Sequence, residues 1–191
     1  MIPEIVVLAS GGGSNFQSLI DAIESGALNA RIRCLIVDRD CGAIARAKQH
    51  KISYFVLDRY NHPALNLNAQ AILCHNVHLI VCAGYLSILP NSFLNMFANQ
   101  VINIHPSLLP KYGGKGMYGL KVHDAVIRAG EKETGCTVHR VDSGLDTGEV
   151  IAQEIVEVSV LDTPESLQKK VLDKEHQLLP ETVKRLLNEL N

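Results

Sequence analysis

With 191 residues, 47% of them hydrophobic, the chain can bury one sizeable core and is short for two, so a single domain over residues 1–191 is expected. A formal charge of −2 and a pI near 6.4 leave no basic field to condense on a phosphate backbone or an anionic membrane, which argues against a nucleic-acid or membrane partner. No apolar run approaches the roughly 20 residues that span a bilayer, and Met1-Ile2-Pro3-Glu4 lacks the features of an export signal, so a cytoplasmic location is expected.

Five apolar runs without polar alternation come first: Ile5–Ala9, Cys34–Val37, Tyr54–Leu57, Leu79–Ala83 and Val101–Ile104. Such runs read as strands covered on both faces, as in a parallel sheet. Phe16, Leu19, Ile20 and Ile23 fall at i, i+3, i+4 and i+7 and predict a helix after the first run, with further crossover helices over Ala43–His50 and Ala64–His75. The alternation predicts an α/β fold with a doubly wound, mainly parallel sheet and helices on both faces, whose ligands bind beyond the carboxyl ends of the strands. After Pro106 come a Gly-rich loop, a helix over Leu120–Ala129, two β runs (Cys136–Val141 and Val150–Val160) and a closing helix. Thr163 is placed to cap that helix with Pro164 in its first turn, and its apolar stripe of Leu167, Val171 and Leu178 runs to Pro180, which is expected to kink or interrupt it.

The five cysteines form no CxxC pair, and Cys34 and Cys82 sit inside apolar runs, so they read as buried free thiols. Eight histidines supply no HxH, HExxH or Cys/His cluster, and no metal is expected.

Ser10-Gly11-Gly12-Gly13-Ser14-Asn15 joins the first strand to the first helix. Glycines let backbone N–H groups approach an anion, and the helix N-terminus adds partial positive charge, so a phosphate fits there. The plain alternative is a tight turn capped by Ser14 or Asn15. The spacing matches neither GxGxxG nor the P-loop pattern, which favours a monophosphate over a dinucleotide or ATP.

Asn103-Ile104-His105-Pro106 ends the fifth run, where Asn103 and His105 would point to one face of an extended strand at the ligand edge. A loop cap for Asn103 and a core role for His105 is the structural alternative. The turn Asp142-Ser143-Gly144-Leu145-Asp146-Thr147-Gly148 supplies carboxylates, one of which, beside an imidazole, would raise its pKa and orient it. His139 is a second imidazole candidate, with a buried structural role as its alternative. Acyl transfer to an amine uses such parts: an amide N–H and an imidazolium stabilise the oxyanion while a proton travels from amine to leaving group. No Ser or Cys nucleophile with a base partner stands out, which favours direct transfer without a covalent intermediate.

The segment Asn103-Ile104-His105-Pro106-Ser107-Leu108-Leu109-Pro110-Lys111-Tyr112 resembles the signature of the folate-dependent formyltransferases, and the likeness runs from Ser10–Asn15 through Ala83–Leu89 to Leu145–Gly148 and Glu175-His176. The Gly-rich turn looks most like the branch acting on glycinamide ribonucleotide in purine biosynthesis, with 10-formyltetrahydrofolate as co-substrate. The resemblance implies a Rossmann-like formyltransferase fold and a catalytic trio of Asn103, His105 and Asp146, with His105 protonated. It implies Gly13, Ser14 and Asn15 at the phosphate, Glu175 at the glycinamide portion, and the pterin against Leu86, Ser87, Ile88 and Leu89 and against Val141, Asp142 and Asp146. Lys111–Gly119 would form a mobile flap, and a homodimer stays open. Ser87 and Tyr60–Pro63 stand where the family commonly has Arg or an Arg-containing segment, implying a weaker grip on the folate's anionic tail. The competing readings are a formyltransferase for an amino sugar nucleotide and a non-catalytic phosphometabolite-binding domain.

Overall fold

The computed structural model describes residues 2–57 and 73–190. In chain order the elements are β1 (Glu4–Ala9), α1 (Ser14–Glu24), β2 (Arg31–Val37), α2 (Gly42–Gln49), β3 (Tyr54–Val56), β4 (Leu79–Cys82), α3 (Asn91–Met96), β5 (Val101–His105), α4 (Leu120–Arg128), β6 (Glu133–Arg140), β7 (Val150–Glu157) and α5 (Pro164–Glu189). The strands form one sheet in the order β3-β2-β1-β4-β5-β6-β7. β1 to β5 pair in parallel, and β6 and β7 join antiparallel.

The runs lack alternation because both faces are covered. Ile5, Val7 and Ala9 of β1 pack with α1, α2 and α5, while Val6 and Leu8 pack on the opposite face with Cys34, Ile36, Phe93 and Phe97. Full burial of such a side chain stabilises the fold by about 1.5–3 kcal/mol relative to leaving it in water. β3 departs from that expectation: Tyr54, Phe55 and Val56 are all exposed, because an outer strand pairs with β2 alone. The expected Ala64–His75 helix lies mostly outside the described residues, with only positions 73 and 74 seen as helical. The last β run is shorter than expected: β7 stops at Glu157, and Val160 and Leu161 beyond it are exposed.

Cys34, Cys74, Cys82 and Cys136 are free and buried, and burial pushes the Cys34 thiol up to about 11 and that of Cys82 up to about 12. Among the described residues no helix is long and apolar enough to cross a membrane.

Thr163 caps α5 with a reciprocal pair: its hydroxyl accepts from the Ser166 N–H (3.2 Å), and Ser166 Oγ accepts from the Thr163 N–H (3.0 Å). The helix then continues through Pro180, so that of the kink or interruption expected there the interruption does not occur. Proline removes one backbone donor, but Leu178, Leu179, Thr182, Val183, Leu186 and Leu187 are buried around it, and that packing holds the last turns in line. α5 lies against α1, α4, β6 and β7, so its start matters to the whole C-terminal half. Thr163→Ala is expected to lower the unfolding free energy by about 1 kcal/mol, read as a lower urea midpoint. An unchanged midpoint would mean that Pro164 alone sets the start of the helix.

Candidate active site

Strand order reverses between β1 and β4, and a cavity of about 740 Å³ opens beyond the carboxyl ends of the strands from there to β6. Its walls come from the segments after β4 and β6, the glycine-rich segment before α4, and α5, with Asn103, His105 and His139 on its floor.

Asn103 and His105 alternate with Ile104, whose side chain enters the core. The antiparallel register sets Asn103 opposite His139 and His105 opposite Thr137. His139 Nδ1 lies 2.7 Å from the Arg140 carbonyl, which can only accept, so Nδ1 carries the hydrogen. Its Nε2 is then free to accept from Asn103 Nδ2 at 3.1 Å, which orients the amide and leaves the second amide hydrogen for the cavity. By the same logic His105 Nε2 donates to the Tyr112 carbonyl at 2.8 Å. His105 Nδ1 stands 3.6 Å from Asp146 Oδ2, and His139 Nε2 stands 3.6 Å from Asp146 Oδ1. Asp146 also accepts from the Gly114 N–H at 2.9 Å and sits in the left-handed region at φ 56.

Asn103, His105 and Asp146 are therefore brought together, with His139 as a fourth member. The environment of His105 opposes the rise in pKa that a neighbouring carboxylate was expected to give. Burial, at 5% exposure, lowers its pKa below the ordinary histidine value, against the opposing pull of Asp146 and the Tyr112 carbonyl and with a further push from His139. At 3.6 Å the carboxylate is too far for a hydrogen bond and does not offset the lost water. Burial also works against the Asp146 carboxylate, but the His139 and His105 imidazoles beside it and the Gly114 N–H that it accepts outweigh burial and hold its pKa below the usual range. Both shifts run toward a neutral imidazole beside an ionised carboxylate.

Across the cavity, Glu175 of α5 is buried at 6% exposure rather than solvated. Burial pushes its carboxyl up to about 7, while the Asn15 amide donates to Oε2 at 2.5 Å and pulls the other way. Asn15, expected at the phosphate, is thus committed to Glu175, and its Oδ1 is buried without a partner. Gly13 and Ser14 lie outside the cavity lining. Gly13, not Ser14 or Asn15, caps α1: its φ is 72, no side chain caps the helix, and an added Cβ would meet Ala43 Cβ at 2.7 Å. Arg46 of α2 donates to the Gly12 carbonyl at 2.7 Å, placing a cation at the turn that the sequence alone did not connect to it.

Leu86 and Ile88 project as an exposed apolar wall, while Leu89 is buried. The Ser87 hydroxyl turns inward and donates to Asp38. Val141 continues the pairing through its N–H to the Val101 carbonyl (3.0 Å), and Asp142 shapes the following turn by accepting from the Gly144 N–H and the Thr147 hydroxyl. The segment 111–119 lies beside the trio, anchored by Lys111 and Tyr112 on Glu131. His123 of α4, missed in the sequence, also lines the cavity, with its pKa lowered to about 4 by burial and by His105. Among the described residues no group of three or more His, Cys, Asp or Glu is placed to hold a metal ion.

The family described as formyl transferase matches over residues 3–183. The chain belongs to that family. This formyl transferase is 34% identical over 189 residues to phosphoribosylglycinamide formyltransferase of Bacillus subtilis, an alignment covering 96% of this chain and 94% of the relative. It is 38% identical over 191 residues to the chloroplastic protein of that name from Vigna unguiculata, covering 97% of this chain; it spans 61% of that relative's length. Among solved structures, phosphoribosylglycinamide formyltransferase from Bacillus halodurans superposes with a TM-score of 0.88 at 34% identity, covering 98% of this chain and 97% of the other.

Glu175 gives the site a pH signature. A carboxyl raised from 4.5 to about 7 by burial binds its proton more tightly folded than unfolded, so stability falls as pH rises between those values, and the cost of the buried charge is fully present above about 7. Glu175→Gln is therefore expected to raise the melting temperature at pH 8 and to do so much less at pH 5. An equal shift at both pH values would show that ionisation of this carboxyl is not the cause.

Proposed function

We propose that this formyl transferase moves a formyl group from 10-formyltetrahydrofolate to the primary amine of glycinamide ribonucleotide, the step that serves purine biosynthesis. The observation that carries the reading is the Asn103, His105, His139 and Asp146 cluster on the floor of a cavity of about 740 Å³, a size that suits small-molecule substrates. The names of the relatives, phosphoribosylglycinamide formyltransferase, support the same acceptor and the same transferred group. In this reading the chain acts in the cytoplasm as one domain over residues 1–191, with no resident metal.

The pterin lies against the backbone of residues 86–89 and 141–146, which brings the formyl carbon over Asn103. The uncapped N-terminus of α1, its glycine turn and Arg46 receive the phosphate of the acceptor. Glu175 faces the glycinamide portion from α5. The neutral amine attacks the formyl carbon, and the carbonyl electrons move to oxygen. Asn103, held by His139, donates its second amide hydrogen to that oxyanion. His105 begins neutral and takes up the amine proton at Nδ1, through water, as the new carbon–nitrogen bond forms. The resulting imidazolium faces ionised Asp146, which stabilises it, and the imidazolium in turn stabilises the oxyanion. Collapse of the tetrahedral intermediate breaks the bond to N10 of the folate, which receives the proton back from His105. No covalent enzyme intermediate is needed.

Absorbance of the deformylated folate, followed with and without glycinamide ribonucleotide, tests the reaction. Turnover is expected only with the amine. Turnover without it would make the protein a hydrolase, and none in either case would overturn the assignment. His105→Ala and Asp146→Asn are each expected to lower kcat by about two orders of magnitude or more while the thermal unfolding profile keeps its cooperative form. Near-normal turnover in either variant would remove the mechanism.

A further inference from the structure

The segment that follows β4 leaves the sheet at Gly84, whose φ of 74 turns it over the cavity, and carries Leu86 and Ile88 into the wall. A loop that recognises a ring through its backbone must hold its own N–H and C=O groups to within a fraction of an ångström, and loops do not do this unaided. Three ties fix this one. The Ser10 N–H donates to the Gly84 carbonyl at 3.0 Å, the Leu86 N–H donates to Ser10 Oγ at 2.8 Å, and the Ser87 hydroxyl donates to Asp38 Oδ2. The Ser10 hydroxyl, which takes the Leu86 N–H, also stabilises the charged form of Asp38, so two of the three ties bear on one carboxylate.

Asp38 follows β2, and its side chain is completely buried. Burying a carboxylate is costly unless its oxygens are satisfied. Here Arg39 donates to Oδ1 at 3.0 Å and to Oδ2 at 2.9 Å, Ser87 donates to Oδ2, and the nearby Ser10 hydroxyl adds to the stabilisation of the charge. Neither Asp38 nor Ser10 lines the cavity, whereas Ser87 does. The carboxylate can therefore act on a ligand only through the loop it holds.

We propose that Asp38 is a positioning residue for the formyl donor: through Ser10 and Ser87 it sets the backbone of residues 84–89 in the conformation that receives the pterin. The inference rests on the donor assignment made above. It also gives Ser87 a task. Its hydroxyl is turned away from the ligand to lock the loop, and position 87 contributes no cation to the donor's anionic tail.

Steady-state kinetics with varied 10-formyltetrahydrofolate or glycinamide ribonucleotide, together with calorimetric titration of tetrahydrofolate, test this in the full chain. Ser87→Ala removes one hydroxyl and is expected to raise KM for the formyl donor about fivefold and to weaken tetrahydrofolate binding by the same factor. KM for the amine should stay within about twofold, because the bond that Ser87→Ala removes runs to Asp38 and not to the glycine turn or to Glu175. Asp38→Asn should act on the donor as Ser87→Ala does and more strongly. Donor KM unchanged in Ser87→Ala, or both KM values raised by one common factor, would overturn the proposal. Should Asp38→Asn fail to fold, Ser87→Ala decides alone. A parent protein that binds tetrahydrofolate but transfers no formyl group would overturn the functional reading and leave this inference to be decided by folate affinity.

Discussion

Across the antiparallel seam between β5 and β6, Asn103 stands opposite His139 and His105 opposite Thr137. A slip of one residue would send His139 to the other face of the sheet and leave the Asn103 amide without the acceptor that orients it. The seam also reaches the chain beyond β5. Thr137 Oγ1 donates to the Ser107 carbonyl at 2.6 Å and accepts from the Leu109 N–H and from Gln153 of β7. Those bonds fix the path of residues 107–112, and with it the Tyr112 carbonyl that takes the His105 hydrogen. Residues 106–132, with α4, separate the two strands in the chain, and the antiparallel pairing then sets the His139 imidazole beside Asn103 near the end of β5.

Around that seam, burial drives two carboxyls apart. Asp146 gathers a backbone N–H and two imidazoles and stays ionised, whereas Glu175 has one amide partner and keeps its proton up to near neutral pH. Two groups of one chemical kind, held in unlike surroundings on either side of one cavity, can serve an acid-like and a base-like purpose at the same pH. Burial likewise lowers the pKa of His105 and so favours its neutral form.

The inner strands were legible because β1 and β4 are buried on both faces, and such strands need no polar alternation. Thr163 and Pro164 marked the start of α5 for an equally local reason. What could not be read locally depended on distant contacts. Glu175 is buried by packing that joins it to Asn15, 160 positions away, and its spacing on a helix resembles that of any solvated glutamate. Pro180 looked like a break because the stripe of buried residues beyond it has meaning only once α5 lies on the sheet. α3 is six residues long with only Phe93 buried, too short for periodicity to register. The motif brought Asn103, His105 and Asp146 to notice, but the lowered pKa of His105 follows from its enclosure, which no motif encodes.

Asp146 holds its carboxylate in place with a backbone that most side chains resist. Its φ of 56 lies where glycine and asparagine are comfortable and where β-branched residues are strained. The replacements that this turn accepts most easily are therefore ones that delete the negative charge. Natural variants that carry asparagine or glycine there could be abundant, soluble and correctly folded while having lost their chemistry, so ordinary purifying pressure on folding would not remove them. Among descendants of this chain, the identity of this one residue would separate working copies from well-preserved relics more sharply than overall similarity.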